Sequence, residues 1–169
     1  MTNSTLFNFT TNPFTINVWL RPYGDGYYCM GNDTYEVNGW YLSENSGGTQ
    51  ISFGGETNNT AFAITTDNGP GNWPSGPANW AYAWSMVTIT YDGTNNLLIY
   101  LNAALQATTN TFASPVSSTT YLIFGLGTAN NGYSDLDGDM WLPQIWSTNL
   151  WPADVANLYF NQTHGSPWP

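Results

Sequence analysis

Apolar and polar positions alternate along most of the chain. In Phe14-Thr15-Ile16-Asn17-Val18-Trp19-Leu20, the residues Phe14, Ile16, Val18 and Leu20 share one face. That period of two predicts a half-buried strand with Trp19 on its opposite face. Arg21-Pro22 ends the pattern, because proline cannot donate to a ladder. Shorter strand candidates lie at 27–30, 39–43, 50–53 and 61–65, between Gly- and Asn-rich turns. Residues 84–91 alternate, Asp92-Gly93-Thr94-Asn95 turns, and 96–102 alternate back, which reads as a hairpin centred on Asp-Gly. Segments 105–109 and 121–125 continue the meander. Segment 140–146 reads as a late strand, with Pro143 marking an edge or a bulge. One helix is predicted near the end. Pro152 suits its first position, Asp154 its first turn, and Val155, Leu158 and Tyr159 give one apolar face. The fold class is therefore all-β: a sandwich of two antiparallel sheets with one short C-terminal helix, expected as a single domain over 1–169.

Composition changes the picture in one direction. Aromatic residues make up 17% of the chain, charged residues only 7%. There is no lysine, Arg21 is the only strong base, and the formal net charge is −10. A basic stripe for phosphate contacts cannot be built, so nucleic acid is excluded as a partner and anionic membranes are disfavoured. No apolar stretch is long enough for membrane insertion. Solubility rests on 21 Asn and 22 Thr, a surface suited to an extracellular or virion setting, even an acidic one. At strongly acid pH only Arg21, His164 and the amino terminus stay charged, about +3 in all. A lysine-rich chain would repel itself there. Cys29 is the only cysteine and reads as a small buried hydrophobe, with an interchain bridge or reactive thiol as the alternatives. The start Met1-Thr2-Asn3-Ser4-Thr5 shows no signal-peptide pattern, an expectation that favours a virion protein over an exported one. Sequons stand at Asn3, Asn8, Asn32, Asn58 and Asn161, so glycosylation is a candidate modification.

The order of segments resembles the laminin-G-like (concanavalin A-like lectin/glucanase) domains. The resemblance is carried by Phe14–Pro22 as an early strand, by Trp84 to Gly93 with its closing Tyr91-Asp92-Gly93, by the returning Leu98-Ile99-Tyr100-Leu101-Asn102, and by 138–146 with 150–159 as closing strand and short helix. Ala103 departs from the glycine usual in that family's turn. The resemblance implies a jelly-roll sandwich. It implies little about activity, because the family includes glycan binders, adhesion modules, hydrolase relatives and modules of capsids and fibres.

Candidate chemistry is sparse. The Glu-x-Asp-x-x-Glu strand motif of the hydrolase relatives is absent, so an enzyme is not expected. Asp135, Asp137 and Asp139 fall on one face if their segment is extended, and calcium is a better use for them than acid catalysis. A solvated acidic turn is the plain alternative. His164, the only histidine, lies in a Gly-Ser-Pro tail unsuited to a triad, and one His with one Cys cannot make a zinc site. Glycan binding needs flat aromatic faces beside amide and carboxylate acceptors. Trp73 and Trp80, with Asp67, Asn72 and Asn79, supply these on the long Pro/Gly loop 67–79. Tyr27, Tyr28, Trp40 and Tyr41 make a second candidate patch. Trp19, Trp84, Trp141 and Trp146 lie inside predicted strands and read as packing residues, and Trp151 as packing the start of the helix. Two functions are expected from these features, with a glycoside hydrolase relative a distant third. One is a non-catalytic surface structural protein: a virion coat, decoration or spike subunit, or an extracellular filament subunit whose partners are itself or other structural subunits. The other is a lectin-like adhesion module of a cell surface, with glycans as partners.

Overall fold

A computed structural model describes residues 7–23, 28–32, 38–44, 50–57, 60–65, 84–112, 118, 121–125 and 135–164. The strands are β1 Phe14–Pro22, β2 Tyr28–Gly31, β3 Asn38–Glu44, β4 Ile51–Thr57, β5 Thr60–Thr65, β6 Ser85–Tyr91, β7 Leu97–Leu101, β8 Ala104–Thr109, β9 Ile123–Phe124 and β10 Gly138–Trp146. The helix α1 is Pro152–His164. Two antiparallel five-stranded sheets result, ordered β10-β1-β6-β7-β8 and β5-β4-β3-β2-β9.

The period-two pattern settles which residues each sheet buries. Phe14, Ile16, Val18 and Leu20 of β1 enter the core between the sheets with Val87, Ile89 and Tyr91 of β6, Leu97, Ile99 and Leu101 of β7, and Trp40, Leu42 and Phe53 from the facing sheet. Rings fill its centre: Phe14 lies 4.1 Å from Phe9 and 5.7 Å from Phe53, centroid to centroid. Trp19, on the other face of β1 as expected, joins Met86, Tyr100 and Val155 in a second cluster where α1 packs on the outside of the first sheet. Trp84, Trp141, Leu158 and Tyr159 pack against that cluster. Cys29 is fully buried, and burial pushes its thiol pKa far up, so it behaves as a small hydrophobe.

Two hairpin turns lie wholly among the described residues. Asp92 Oδ1 accepts from Thr94 N (2.8 Å), Thr94 Oγ1 (2.7 Å) and Asn96 N (3.1 Å). Gly93, at φ +84°, follows it against Pro13 and the Thr11 carbonyl, where a side chain would be strained and crowded. The β7–β8 turn is the two-residue Asn102-Ala103, both left-handed at φ 49° and 64°. This is the primed geometry hairpins favour. It forms without the family's glycine because Asn102 pairs with Met86 through its backbone N–H (2.8 Å) and its side-chain oxygen (2.9 Å). β10 is both an edge strand and bulged. Gln144 pairs with Asn17 and Trp141 with Trp19, so Leu142 and Pro143 together oppose Val18. At the helix start, Trp151 N donates to Asp154 Oδ2 (3.0 Å), one half of a capping box, and Pro152 follows at the first helical position, where its missing N–H costs no helix bond. The Trp151 indole does not pack there; the residue is 70% exposed, because its backbone alone does the capping.

Candidate functional site

On β1 the outward positions Thr15, Asn17, Trp19 and Arg21 form one row. Its first three members are tied down beneath and beside α1. Thr15 Oγ1 donates to the Thr148 carbonyl (2.8 Å) and accepts from Leu150 N (2.9 Å). Thr88 Oγ1 donates to Asn17 Oδ1 (2.7 Å). Trp19 Nε1 donates to Gln162 Oε1 (2.6 Å), and its ring stacks on Tyr159 at 5.9 Å. Arg21, the last, reaches solvent. Its register partner is Asp139 on β10, and Arg21 Nε donates to Asp139 Oδ2 (2.9 Å) within a salt bridge. The guanidinium lies 5.0 Å from the Trp84 ring centre and 5.4 Å from that of Tyr23. The Tyr23 hydroxyl donates to the same Asp139 oxygen, and Tyr23 N to the Asp137 carbonyl (2.7 Å).

Charge and phenol therefore lock one another. Hydrogen bonds from Tyr23 and Arg21 hold Asp139 below the usual carboxylate range. The bond to Asp139 raises the pKa of both Arg21 and Tyr23, so near neutral pH the set is guanidinium, carboxylate and neutral phenol. A pair this exposed adds little stability. Its interest is chemical: the strong base of a chain at −10 sits beside a carboxylate, a phenol and an indole in one solvent-facing patch. Such a patch can donate, accept and stack. It does not offer the two facing carboxylates that glycoside hydrolysis requires.

The candidates read from the sequence fare unevenly. Asp67, Asn72, Trp73, Asn79 and Trp80 lie outside the described residues, as do Tyr27, Asn3 and Asn58. Of the second patch, the described members Tyr28, Trp40 and Tyr41 do not share one exposed face. Alternation along β3 turns Trp40 inward, where it is 1% exposed and its Nε1 donates to the Phe7 carbonyl (2.8 Å). Tyr28 is buried too, and Tyr41 points to the other face of β3, between Gly31 and Gly54 of the neighbouring strands. Of the calcium candidates Asp135, Asp137 and Asp139, the last is already engaged. Arg21 supplies the cation that Asp139 meets, and among the described residues no three His, Cys, Asp or Glu side chains group to hold a metal ion. Of the sequons, Asn32 is 1% exposed and bonded on both ends of its amide, so it is not an acceptor in the folded chain. Asn8 is half-buried and bonded to Ser118, whereas Asn161 is exposed on α1. The Arg21 patch was missed because its members sit at 21, 23, 84 and 139, joined only by strand register.

The family model described as concanavalin A-like lectin/glucanases superfamily (Laminin_G_3) matches residues 2–156. The chain belongs to this superfamily. A comparison with curated proteins found no match. Among solved structures, this lectin/glucanase-type sandwich is similar to the botulinum neurotoxin serotype D binding domain, at TM-score 0.67 and 17% identity over 97% of this chain and 40% of that one. It is similar to the binding domain of Paraclostridial Mosquitocidal Protein 1, at 0.67 and 18% over 90% and 38%. It is also similar to the binding domain of botulinum neurotoxin DC, solved in complex with rat synaptotagmin II, at 0.61 and 18% over 89% and 36%. The chain thus spans about two fifths of those structures' length, and at these identities the likeness is one of fold.

Proposed function

We infer that this lectin/glucanase-type chain is a single-domain, non-catalytic recognition module that works at a virion surface or an extracellular cell surface. Its partner is a glycan or a protein receptor. The observation that carries this reading is the exposed Arg21–Asp139 pair framed by Tyr23 and Trp84. Polar groups that orient a ligand beside aromatic surface are what recognition sites use. The fold shared with the toxin binding domains supports it. Three described carboxylates have structural partners: Asp139 in Arg21, Asp92 in its turn and Asp154 in the helix start. The test is a screen of the folded protein against arrayed glycans and host-surface protein. Binding weakened at least tenfold by Arg21→Ala and Trp84→Ala supports the reading. Binding indifferent to both, or turnover of a glycan, refutes it.

A second reading, a structural subunit of a virion or filament, draws on a separate observation. Tyr121 beside and Phe124 in the two-residue edge strand β9, with Trp151 just before and Phe160 in α1, are 47–70% exposed. Apolar surface of this kind favours interfaces. Light scattering decides it: a symmetric oligomer that Phe124→Ser and Trp151→Ser dissolve supports assembly, and a monomer at high concentration opposes it.

A further inference from the structure

A second surface feature is independent of the Arg21 patch. Residues 7–13 run beside the edge strand β10 and leave a cleft of about 370 Å³. Phe7, Pro13 and Ile145 supply its apolar lining, Asn12 and Ser147 its polar rim. None of the residues lining it is charged, in a chain whose formal charge is −10.

The cleft wall is held in place before any ligand arrives. Phe9 is buried, stacked 4.1 Å from Phe14 and 5.1 Å from Trp40. The Phe7 carbonyl accepts from Trp40 Nε1 (2.8 Å) and Asn32 Nδ2 (3.2 Å). Asn8 bonds Ser118 through both ends of its amide, donating to the carbonyl (3.2 Å) and accepting from the N–H (3.0 Å). Asn12 N closes a turn on the Phe9 carbonyl (2.8 Å), with Thr10 left-handed at φ 40°. The Asn12 side chain, by contrast, is at the exposed rim. Ordering costs that a mobile wall would impose on binding are thereby reduced.

We propose that this cleft is a binding site for one ring of a neutral saccharide. A pyranose presents C–H groups on one face and hydroxyls around its edge. The apolar lining suits the first, and the Asn12 amide and Ser147 hydroxyl suit the second, as both donors and acceptors. The volume falls in the range of small-molecule sites, about 300–1,000 Å³. An anionic sugar would meet no cation among the described lining residues, and the field of ten net negative charges. This inference rests on the recognition reading above but assigns a different site.

The test is titration of the isotope-labelled protein with neutral mono- and oligosaccharides, and with sialic acid as the charged control, followed by NMR. Neutral saccharides are expected to shift the Asn12 and Ser147 signals while sialic acid does not. Asn12→Ala is expected to weaken the effect at least tenfold, and Ser147→Trp, which fills the cleft from an exposed position, to abolish it. Arg21→Ala is expected to leave it unchanged. Absence of any shift at these residues overturns the proposal, as does binding that survives both cleft variants. Shifts confined to Arg21, Tyr23 and Trp84 overturn it too, while leaving the recognition reading intact. Thermal melts of each variant confirm folding, and Asn12→Ala alone, from an exposed site, keeps the test decisive if Ser147→Trp does not fold.

Discussion

Asn32→Ala is expected to be among the more costly single-atom-group deletions in the chain, although Asn32 reads in the sequence as a glycosylation site. Its backbone N–H extends the β2–β3 pairing to the Trp40 carbonyl (3.0 Å). Its side chain makes three more bonds: Nδ2 to the Phe7 carbonyl (3.2 Å) and to Asn8 Oδ1 (3.0 Å), and Oδ1 from Trp40 N (3.2 Å). Alanine removes all three. The Phe7 carbonyl keeps Trp40 Nε1, and Asn8 Oδ1 keeps Ser118 N. The Trp40 N–H loses this acceptor inside a residue 1% exposed. About 1 kcal/mol for each of the two bonds whose acceptors keep another donor, with about 1–3 kcal/mol for the Trp40 N–H left unsatisfied, gives roughly 3–5 kcal/mol. For a domain of this size that is about 6–20 °C in Tm. Urea and thermal melts of Asn32→Ala against Asn161→Ala, a surface control expected within about 0.5 kcal/mol, measure it. A loss below about 1 kcal/mol would refute the reasoning that this amide clamps the N-terminal segment to the core.

Ala103→Gly is expected to raise stability by about 0.5–1 kcal/mol, because Ala103 sits at φ 64° where a side chain is strained; a lower Tm would refute it. Gln162→Leu is expected to cost about 2 kcal/mol and to weaken the near-UV circular dichroism of the Trp19–Tyr159 stack, since Trp19 Nε1 loses its acceptor. Burial opposes ionisation of Asp92, but bonds from Asn96 and Thr94 outweigh it and hold its pKa well below the usual range; Asp139 is held low by Tyr23 and Arg21. Lowered folded-state values contribute stability that is present above the unfolded pKa, about 3.9, and lost only as pH falls through the lower folded values. Tm is therefore expected to hold from pH 7 to about pH 4, and acid unfolding above that would count against it. In a secretory eukaryotic host, glycopeptide mapping is expected to find Asn161 occupied and Asn32 bare, and occupancy of Asn32 in folded protein would contradict the burial argument.

The strands were legible where alternation was long. Residues 14–20, 84–91 and 96–102 announced β1, β6 and β7, their inward faces and the Asp-Gly turn, because a period of two is a local property of the backbone. Pro143 announced an edge or a bulge, and β10 is both. Short segments were less informative. Tyr28, Trp40 and Tyr41 looked alike as aromatic residues near turns, yet Trp40 is core and Tyr41 is not, which depends on the facing of strands only four and seven residues long. The partner of Asp139 was hidden for a similar reason: nothing near it in sequence reveals Arg21, 118 positions away.

The sequence by itself determined the all-β class, the apolar face of each long strand, the capped helix and the acid, lysine-free surface. These follow from period, turn chemistry and composition, which act over a few residues or over the whole chain. Tertiary structure alone decided what faces what. It joined 21, 23, 84 and 139 into one patch, sank Asn32 beneath the N-terminal segment and opened the cleft between that segment and β10. Those outcomes depend on strand register and sheet order, which are set by packing between segments far apart in sequence and leave no local periodicity to read.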